Sequence, residues 1–154
     1  MSETGNTPPA PQTHIPMGAL AWGWAGVIPF VALTAAIILA SLSWKLIATT
    51  ILVPYGAIIL TFMGGVHWGV VMNRSQTGAL LYSSGIMPSL FAVGSILVPS
   101  LFAIPLLIAG FIVLLIYDLW LVRTAILPKW YGQLRIQLTA AVVACLLIVA
   151  LFGI

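Results

Sequence analysis

Five long apolar runs, separated by short polar stretches, cover nearly all of the chain after residue 16. A bilayer core is about 30 Å thick, and roughly 20 apolar helical residues are needed to cross it. The runs fall at residues 17–42, 46–72, 79–98, 101–122 and 136–154. They predict an all-α, polytopic transmembrane bundle of about five helices over residues 17–154. Val98-Pro99-Ser100 predicts a tight turn between the third and fourth spans.

The segment before the first run, residues 1–16, is polar and rich in proline. It has too little apolar surface to fold, so we expect a disordered tail. The tail contains no Lys or Arg, and therefore resembles neither a signal peptide nor a mitochondrial transit peptide. This favours direct insertion into the inner (cytoplasmic) membrane of a bacterial cell.

Composition excludes a water-soluble domain. The 154 residues are 62% hydrophobic and 5% charged, with a mean hydropathy of +1.22, whereas soluble domains are about 25% charged. The net charge of +3 rests on few residues and indicates loop asymmetry rather than nucleic-acid binding. The expected partners are membrane lipids and another membrane protein or complex. The single cysteine, Cys145, excludes an internal disulfide and a multi-cysteine metal site.

The basic residues predict an orientation. If there are five spans, Arg74, Arg123, Lys129 and Arg135 lie on one side of the membrane and Lys45 alone lies on the other. Lys and Arg accumulate in short cytoplasmic loops. The N-terminus should therefore be cytoplasmic and the C-terminus outside.

Two ionisable residues lie inside predicted spans and are the candidate polar site. His67 and Asp118 are each about one helical turn from the predicted cytoplasmic side. Arg74, Arg123 and Arg135, near the span ends, could reach Asp118. The cluster could be an interhelical network that fixes packing, or a proton-handling or ligand-binding site. One His and one Asp are too few for a metal cage, so we expect neither a metal nor a cofactor.

A glycine-rich stretch precedes and follows His67. Gly65 and Gly69 form a G-x-x-x-G pair beside Gly64. Small residues at this spacing allow two helix backbones to approach closely. The three glycines are therefore predicted to be helix-packing positions.

The segment between the last two runs is basic and aromatic. Pro128, Lys129, Trp130 and Tyr131 are predicted to form an interfacial loop. Such a loop suits contacts with anionic lipid head groups or with a partner, or simple anchoring at the interface.

Several segments resemble a known family. They are the run Gly64-Gly65-Val66-His67-Trp68-Gly69, the loop Leu127-Pro128-Lys129-Trp130-Tyr131, and residues 25–30, 87–90 and 117–118. Taken in their order along the chain, over nearly all of residues 18–153, they are similar to the uncharacterised membrane family related to transmembrane protein 69, a domain of unknown function. The resemblance implies the five-helix fold and draws attention to His67, Asp118 and the Trp130 loop. It implies no reaction.

Three functions remain open. The leading hypothesis is a non-enzymatic accessory or assembly subunit that packs against a larger membrane complex. The alternatives are a small transporter or channel, and a lipid-head-group-handling protein with a polar site at the cytoplasmic face. The spans offer only a few hydroxyl groups near the midplane, which disfavours transport. No residue is predicted to be catalytic, because Asp118 is the only carboxylate outside the tail.

Overall fold

The computed structural model describes residues 14–72 and 79–153, with only the backbone described for residues 79–81. These residues form five α-helices and no strand. The helices are α1 (Met17–Leu39), α2 (Leu42–Met72), α3 (Ala79–Leu97), α4 (Ser100–Arg123) and α5 (Lys129–Phe152). The predicted all-α membrane bundle of five helices is confirmed, and α1 to α4 match their apolar runs to within a few residues.

Four of the helices, α1, α2, α4 and α5, are long and apolar enough to cross a membrane. The third is shorter: α3 has 19 residues, which correspond to about 28 Å at the usual helical rise. This length is close to the roughly 30 Å of a hydrocarbon core.

Three helices begin directly after a proline. Pro16, Pro99 and Pro128 are the N-caps of α1, α4 and α5, and each has an extended ψ between 134° and 151°. Proline has a fixed φ and no N–H, so it suits the start of a helix better than its interior. Each of these prolines still accepts a hydrogen bond from the first helical turn through its carbonyl.

The start of α5 corrects the sequence prediction. The fifth span was expected from residue 136, but α5 begins at Lys129. Trp130 and Tyr131 are therefore in the first helical turn and not in a loop. The apolar run marks only the part of the helix suited to hydrocarbon, whereas Pro128 marks where the helix begins.

The helices form a closed ring with one cross-contact. α1 packs against α2 and α5, α3 packs against α2 and α4, α4 packs against α5, and α2 also contacts α4 across the ring. A layer halfway along the helices is filled by buried side chains: Phe30, Leu60, Phe111 and Val142. Phe30 and Phe111 meet edge to face, with ring centroids 6.2 Å apart.

The predicted tail lies mostly outside the described residues, which begin at residue 14. Of the predicted tail, the structure describes residues 14–16, and Ile15 among them is half-buried and packs against the core.

Candidate functional site

The candidate site is a cluster of three polar side chains on the inward faces of three helices. His67 of α2, Asp118 of α4 and Arg135 of α5 are 1%, 1% and 3% exposed. Asp118 continues a stripe of buried residues that includes Leu107, Phe111 and Leu114. Residues three or four apart share one face of a helix, so the apolar pattern itself directs Asp118 inward.

All three side chains lie near the same end of the bundle. His67 and Asp118 are each five residues before the end of their helices, and Arg135 is six residues after the start of α5. These positions correspond to about 8–9 Å along the helix axes. The cluster is therefore deeper than the loops but far from the midplane.

Both oxygens of the Asp118 carboxylate are paired. The His67 Nε2 atom lies 2.7 Å from Oδ1, and Arg135 Nε donates a hydrogen bond of 2.6 Å to Oδ2. Charge-assisted hydrogen bonds of this length are among the strong ones in proteins. The cluster therefore joins α2, α4 and α5 through one carboxylate.

The distances constrain where the protons lie. A contact of 2.7 Å between an imidazole nitrogen and a carboxylate oxygen requires a proton between them, so His67 donates from Nε2 to Asp118. The ion pair of Asp118 with Arg135 balances the charges of these two side chains. The other ring nitrogen, Nδ1, lies 3.4 Å from the backbone oxygen of Ser84 in α3, a long contact. The ring is also packed edge to face against Tyr117 at 5.0 Å.

This arrangement favours structure over catalysis. Removing one partner of a buried ion pair is strongly destabilising, because the remaining charge has no compensation. A general acid or base must instead offer a free position to a substrate. Both oxygens of Asp118 are hydrogen-bonded, and the His67 side chain is 1% exposed, so neither residue offers such a position.

Two other arginines were predicted near the cluster. Arg123 is exposed at the end of α4, and Arg74 lies outside the described residues. Arg135 was expected to reach Asp118 from the end of a span, but it is in the second turn of α5 and is fully buried. In the described part of the chain, the side chains hydrogen-bonded to Asp118 are His67 and Arg135.

The three predicted packing glycines differ from one another. A Cβ atom on Gly64 would lie 2.8 Å from Pro88 Cγ and 3.0 Å from the Gly85 oxygen, so α2 and α3 approach closely there. Gly65 and Gly69 are exposed, and no described atom comes within 4 Å of a Cβ at either position. Inside the described chain, close packing occurs at Gly64 and not at the G-x-x-x-G pair.

The predicted interfacial loop is distributed over a turn and a helix. Pro128 and Lys129 are exposed, Trp130 is half-buried against the core, and Tyr131 is half-buried on α5. The turn before them includes Ala125, whose φ of 56° is in the left-handed region.

Sequence reasoning missed a polar stripe on α5. Tyr131, Arg135 and Thr139 follow one another at intervals of four residues, so they lie on one face of the helix. All three line a cavity between α1, α2 and α5. The spacing was visible in the sequence, but placing Tyr131 in a loop and Arg135 at a span end concealed it.

Metal ligation has no visible basis at this site. Across residues 14–72 and 79–153, no group of three or more His, Cys, Asp or Glu side chains could hold a metal ion.

Comparison with known proteins identifies a family. The family model described as "Protein of unknown function (DUF3429)" matches residues 15–151. Transmembrane protein 69 of Xenopus tropicalis is 33% identical over an alignment of 133 residues, and the alignment covers 83% of this chain and 51% of that protein. The chain thus spans about half the length of this relative. No solved structure matches the chain. The chain belongs to the DUF3429 family of membrane proteins, which is related to transmembrane protein 69.

Proposed function

We propose that this protein is a non-enzymatic accessory or assembly subunit that packs against another membrane protein in the inner (cytoplasmic) membrane. The observation that carries the proposal is an outward face of α2 made of Thr61, Gly65 and Gly69, which we call the outer glycine face. All three residues are exposed and lie four residues apart. Small residues at this spacing are typical of contacts between membrane helices.

The outer glycine face suits a helix better than lipid alone. No described atom lies within 4 Å of a Cβ placed on Gly65 or Gly69. A second helix could therefore approach the α2 backbone as closely as α3 approaches it at Gly64. Large side chains, including Ile58, Phe62 and Met72, border the face and are 64%, 66% and 69% exposed. A second helix packed on the small residues would gain the van der Waals contact that drives helix association in a bilayer.

The interior supports a non-catalytic role. Asp118 is bound on both oxygens, and Glu3 is the only other carboxylate in the sequence. Acid–base chemistry by a pair of carboxylates therefore has no basis in this chain.

Transport is supported less well than partner binding. The layer of Phe30, Leu60, Phe111 and Val142 is apolar and buried halfway along the bundle. Transporters typically place polar groups and broken helices at this depth. The described polar cluster lies instead near one end.

The test is co-purification of the tagged protein from native membranes in mild detergent, followed by mass spectrometry. A membrane protein should co-purify with the wild type and with Gly18→Leu, and be lost from a Gly65→Leu, Gly69→Leu double variant. Gly18 is a matched control because it is exposed and equally open, but lies on α1. Equal recovery of the partner with the double variant would contradict the proposal.

A second copy of the chain is the other possible occupant of this face. Cross-linking through a Thr61→Cys substitution distinguishes the two cases, because the native Cys145 is buried. A homodimer cross-linked at position 61, without any other protein, would contradict the accessory role.

We also propose that the N-terminus is cytoplasmic and the C-terminus is outside. The support is the excess of Lys and Arg at the end of the bundle that holds Arg123 and Lys129, compared with Lys45 at the other end. Reporter fusions should place residues 124–128 in the cytoplasm and residue 153 outside. A cytoplasmic C-terminus would show that one helix, most simply α3, does not cross the membrane.

A further inference from the structure

A cavity of about 250 Å³ lies between α1, α2 and α5, beside the polar cluster. Its walls are mostly apolar. Trp22 and Phe62, which line it, are 82% and 66% exposed, whereas Val27 and Arg135, which also line it, are buried. The cavity therefore extends from the lipid-facing surface into the bundle.

Three of the residues that line the cavity carry a hydrogen-bonding group without a partner. The Tyr131 Oη, Arg135 Nη2 and Thr139 Oγ1 atoms are buried, and none has a hydrogen-bond partner among the described residues. Arg135 and Thr139 are each only 3% exposed. A buried polar group without a hydrogen bond is rare in native structures, because its desolvation is not compensated. Because all three residues line one cavity, a ligand bound there is the candidate for the missing partner.

The donors define the chemistry of that ligand. An arginine N–H can only donate, and the two hydroxyls can donate as well, so the ligand must present an acceptor oxygen. The charge of Arg135 is already balanced by Asp118 at 2.6 Å. A neutral carbonyl oxygen therefore suits the site better than an anion, which would leave a net negative charge in a buried place.

The remaining walls define the rest of the ligand. Gly26, Val27, Ile59 and Val142 present hydrocarbon or bare backbone to the cavity. The volume is slightly below the roughly 300–1,000 Å³ of complete small-molecule pockets. It therefore fits the head and first segment of a long molecule, whose remaining chain would leave between Trp22 and Phe62 into the lipid. Arg135, about 9 Å along α5 from its start, is at a depth suited to a carbonyl below the membrane surface.

We propose that this cavity binds the carbonyl end of a membrane amphiphile, with its carbonyl oxygens held by Arg135 and by the hydroxyls of Tyr131 and Thr139, which lie on successive turns of α5. The carbonyl can belong to the acyl ester of a phospholipid or to a quinone ring with an isoprenoid tail. Both sources combine an acceptor oxygen with a long apolar chain.

Photolabelling of the full chain in mild detergent micelles tests the proposal and separates the two sources. One arm uses a phospholipid with a diazirine near the ester end of an acyl chain, and the other uses an azidoquinone with a short alkyl tail. Mass spectrometry of the labelled peptides should place one of the two probes on residues 22–27 of α1 and 131–142 of α5. The probe that labels these segments identifies the source. Labelling by neither probe, or spread evenly over the exposed surface, would overturn the proposal.

Gly26→Leu should block binding by filling the cavity. A Cβ at Gly26 meets no described atom within 4 Å, so the larger side chain can extend into the cavity without disturbing the backbone. Labelling should fall about tenfold or more, the change expected from losing one good contact. Gly18→Leu, on the same helix but not among the residues that line the cavity, should label like the wild type. Equal labelling of the two variants would contradict the proposal.

A second variant removes the donors without filling the space. Tyr131→Phe combined with Thr139→Val should also lower labelling, by about tenfold. Thr50→Val is the control, because Thr50 is exposed and bonds only to its own helix, at 2.7 Å and 3.0 Å. Unchanged labelling of the double variant would mean that these hydroxyls do not hold the ligand. Since the amphiphile and the outer glycine face are tested separately, failure of one proposal does not decide the other.

Discussion

Arg135 borders two regions of the bundle that differ in how their polar groups are satisfied. On one side, its Nε donates to Asp118, and the second oxygen of that carboxylate is bound by His67. On the other side, its Nη2 lies with the hydroxyls of Tyr131 and Thr139, and these three atoms have no partner in the described chain. Both regions include Arg135, yet only in the first are all the hydrogen bonds made.

The difference separates structural from binding roles. A fully satisfied buried network rigidifies the fold, and it loses stability when one member is removed. Buried donors without a partner add no such stability, and a ligand in the adjoining cavity would supply the missing hydrogen bonds. We therefore propose that the His67–Asp118–Arg135 cluster fixes the helices and that the other side of Arg135 binds a ligand.

The largest expected effect comes from breaking the satisfied side. Asp118→Asn removes the charge that compensates Arg135 and should lower the free energy of unfolding in detergent by about 3–5 kcal/mol. Arg123→Gln is a matched control, since Arg123 is an exposed charge at the end of the same helix. Its effect should stay within about 0.5 kcal/mol. Equal stability of the two variants would mean that the ion pair does not hold the bundle together.

An intermediate effect is expected where α2 packs against α3, close to His67. Gly64→Ala places a methyl group 2.8 Å from Pro88 and 3.0 Å from the Gly85 oxygen, which must then move. Overpacking of this kind costs about 1–3 kcal/mol. Gly65→Ala, one residue along and open, should be neutral or slightly stabilising. Thermal unfolding of both variants checks the contrast, and equal losses would show that the two faces of α2 are not distinct.

The smallest effect is expected on the unsatisfied side. Tyr131→Phe and Thr139→Val each delete a hydroxyl that has no partner among the described residues. Their free energies of unfolding, measured without added lipid or quinone, should change by less than about 0.5 kcal/mol. Replacing an unpaired buried hydroxyl by an apolar group is neutral or stabilising. A loss comparable to that of Asp118→Asn would reveal a structural role for the stripe.

The helices could be predicted from the sequence because hydropathy determines which segments can cross a bilayer. The predicted first four runs correspond to α1–α4, including the turn at Pro99 between α3 and α4. The start of α5 could not be obtained in this way. Residues 129–135 include Lys129, Gln133 and Arg135, which lower the local hydropathy although the helix continues through them.

The site was less predictable than the fold. The similar depth of His67 and Asp118 follows from their distances to the span ends. Whether α2 and α4 are neighbours, however, depends on tertiary packing. Arg135 was placed at the end of a span because the beginning of α5 was misplaced. Gly64 and Gly65 lie on different faces of α2. Which of the two contacts α3 depends on tertiary packing, and the glycine pattern alone does not specify it.

A double-mutant cycle on His67 and Asp118 tests the central claim most directly. The single variants His67→Asn and Asp118→Asn and their combination are compared by free energy of unfolding in one detergent. Since the two side chains are 2.7 Å apart, the double variant should lose less than the sum of the single losses, by about 0.5–3 kcal/mol. Additivity to within about 0.3 kcal/mol would contradict the account, because the two residues would then act independently rather than as one cluster.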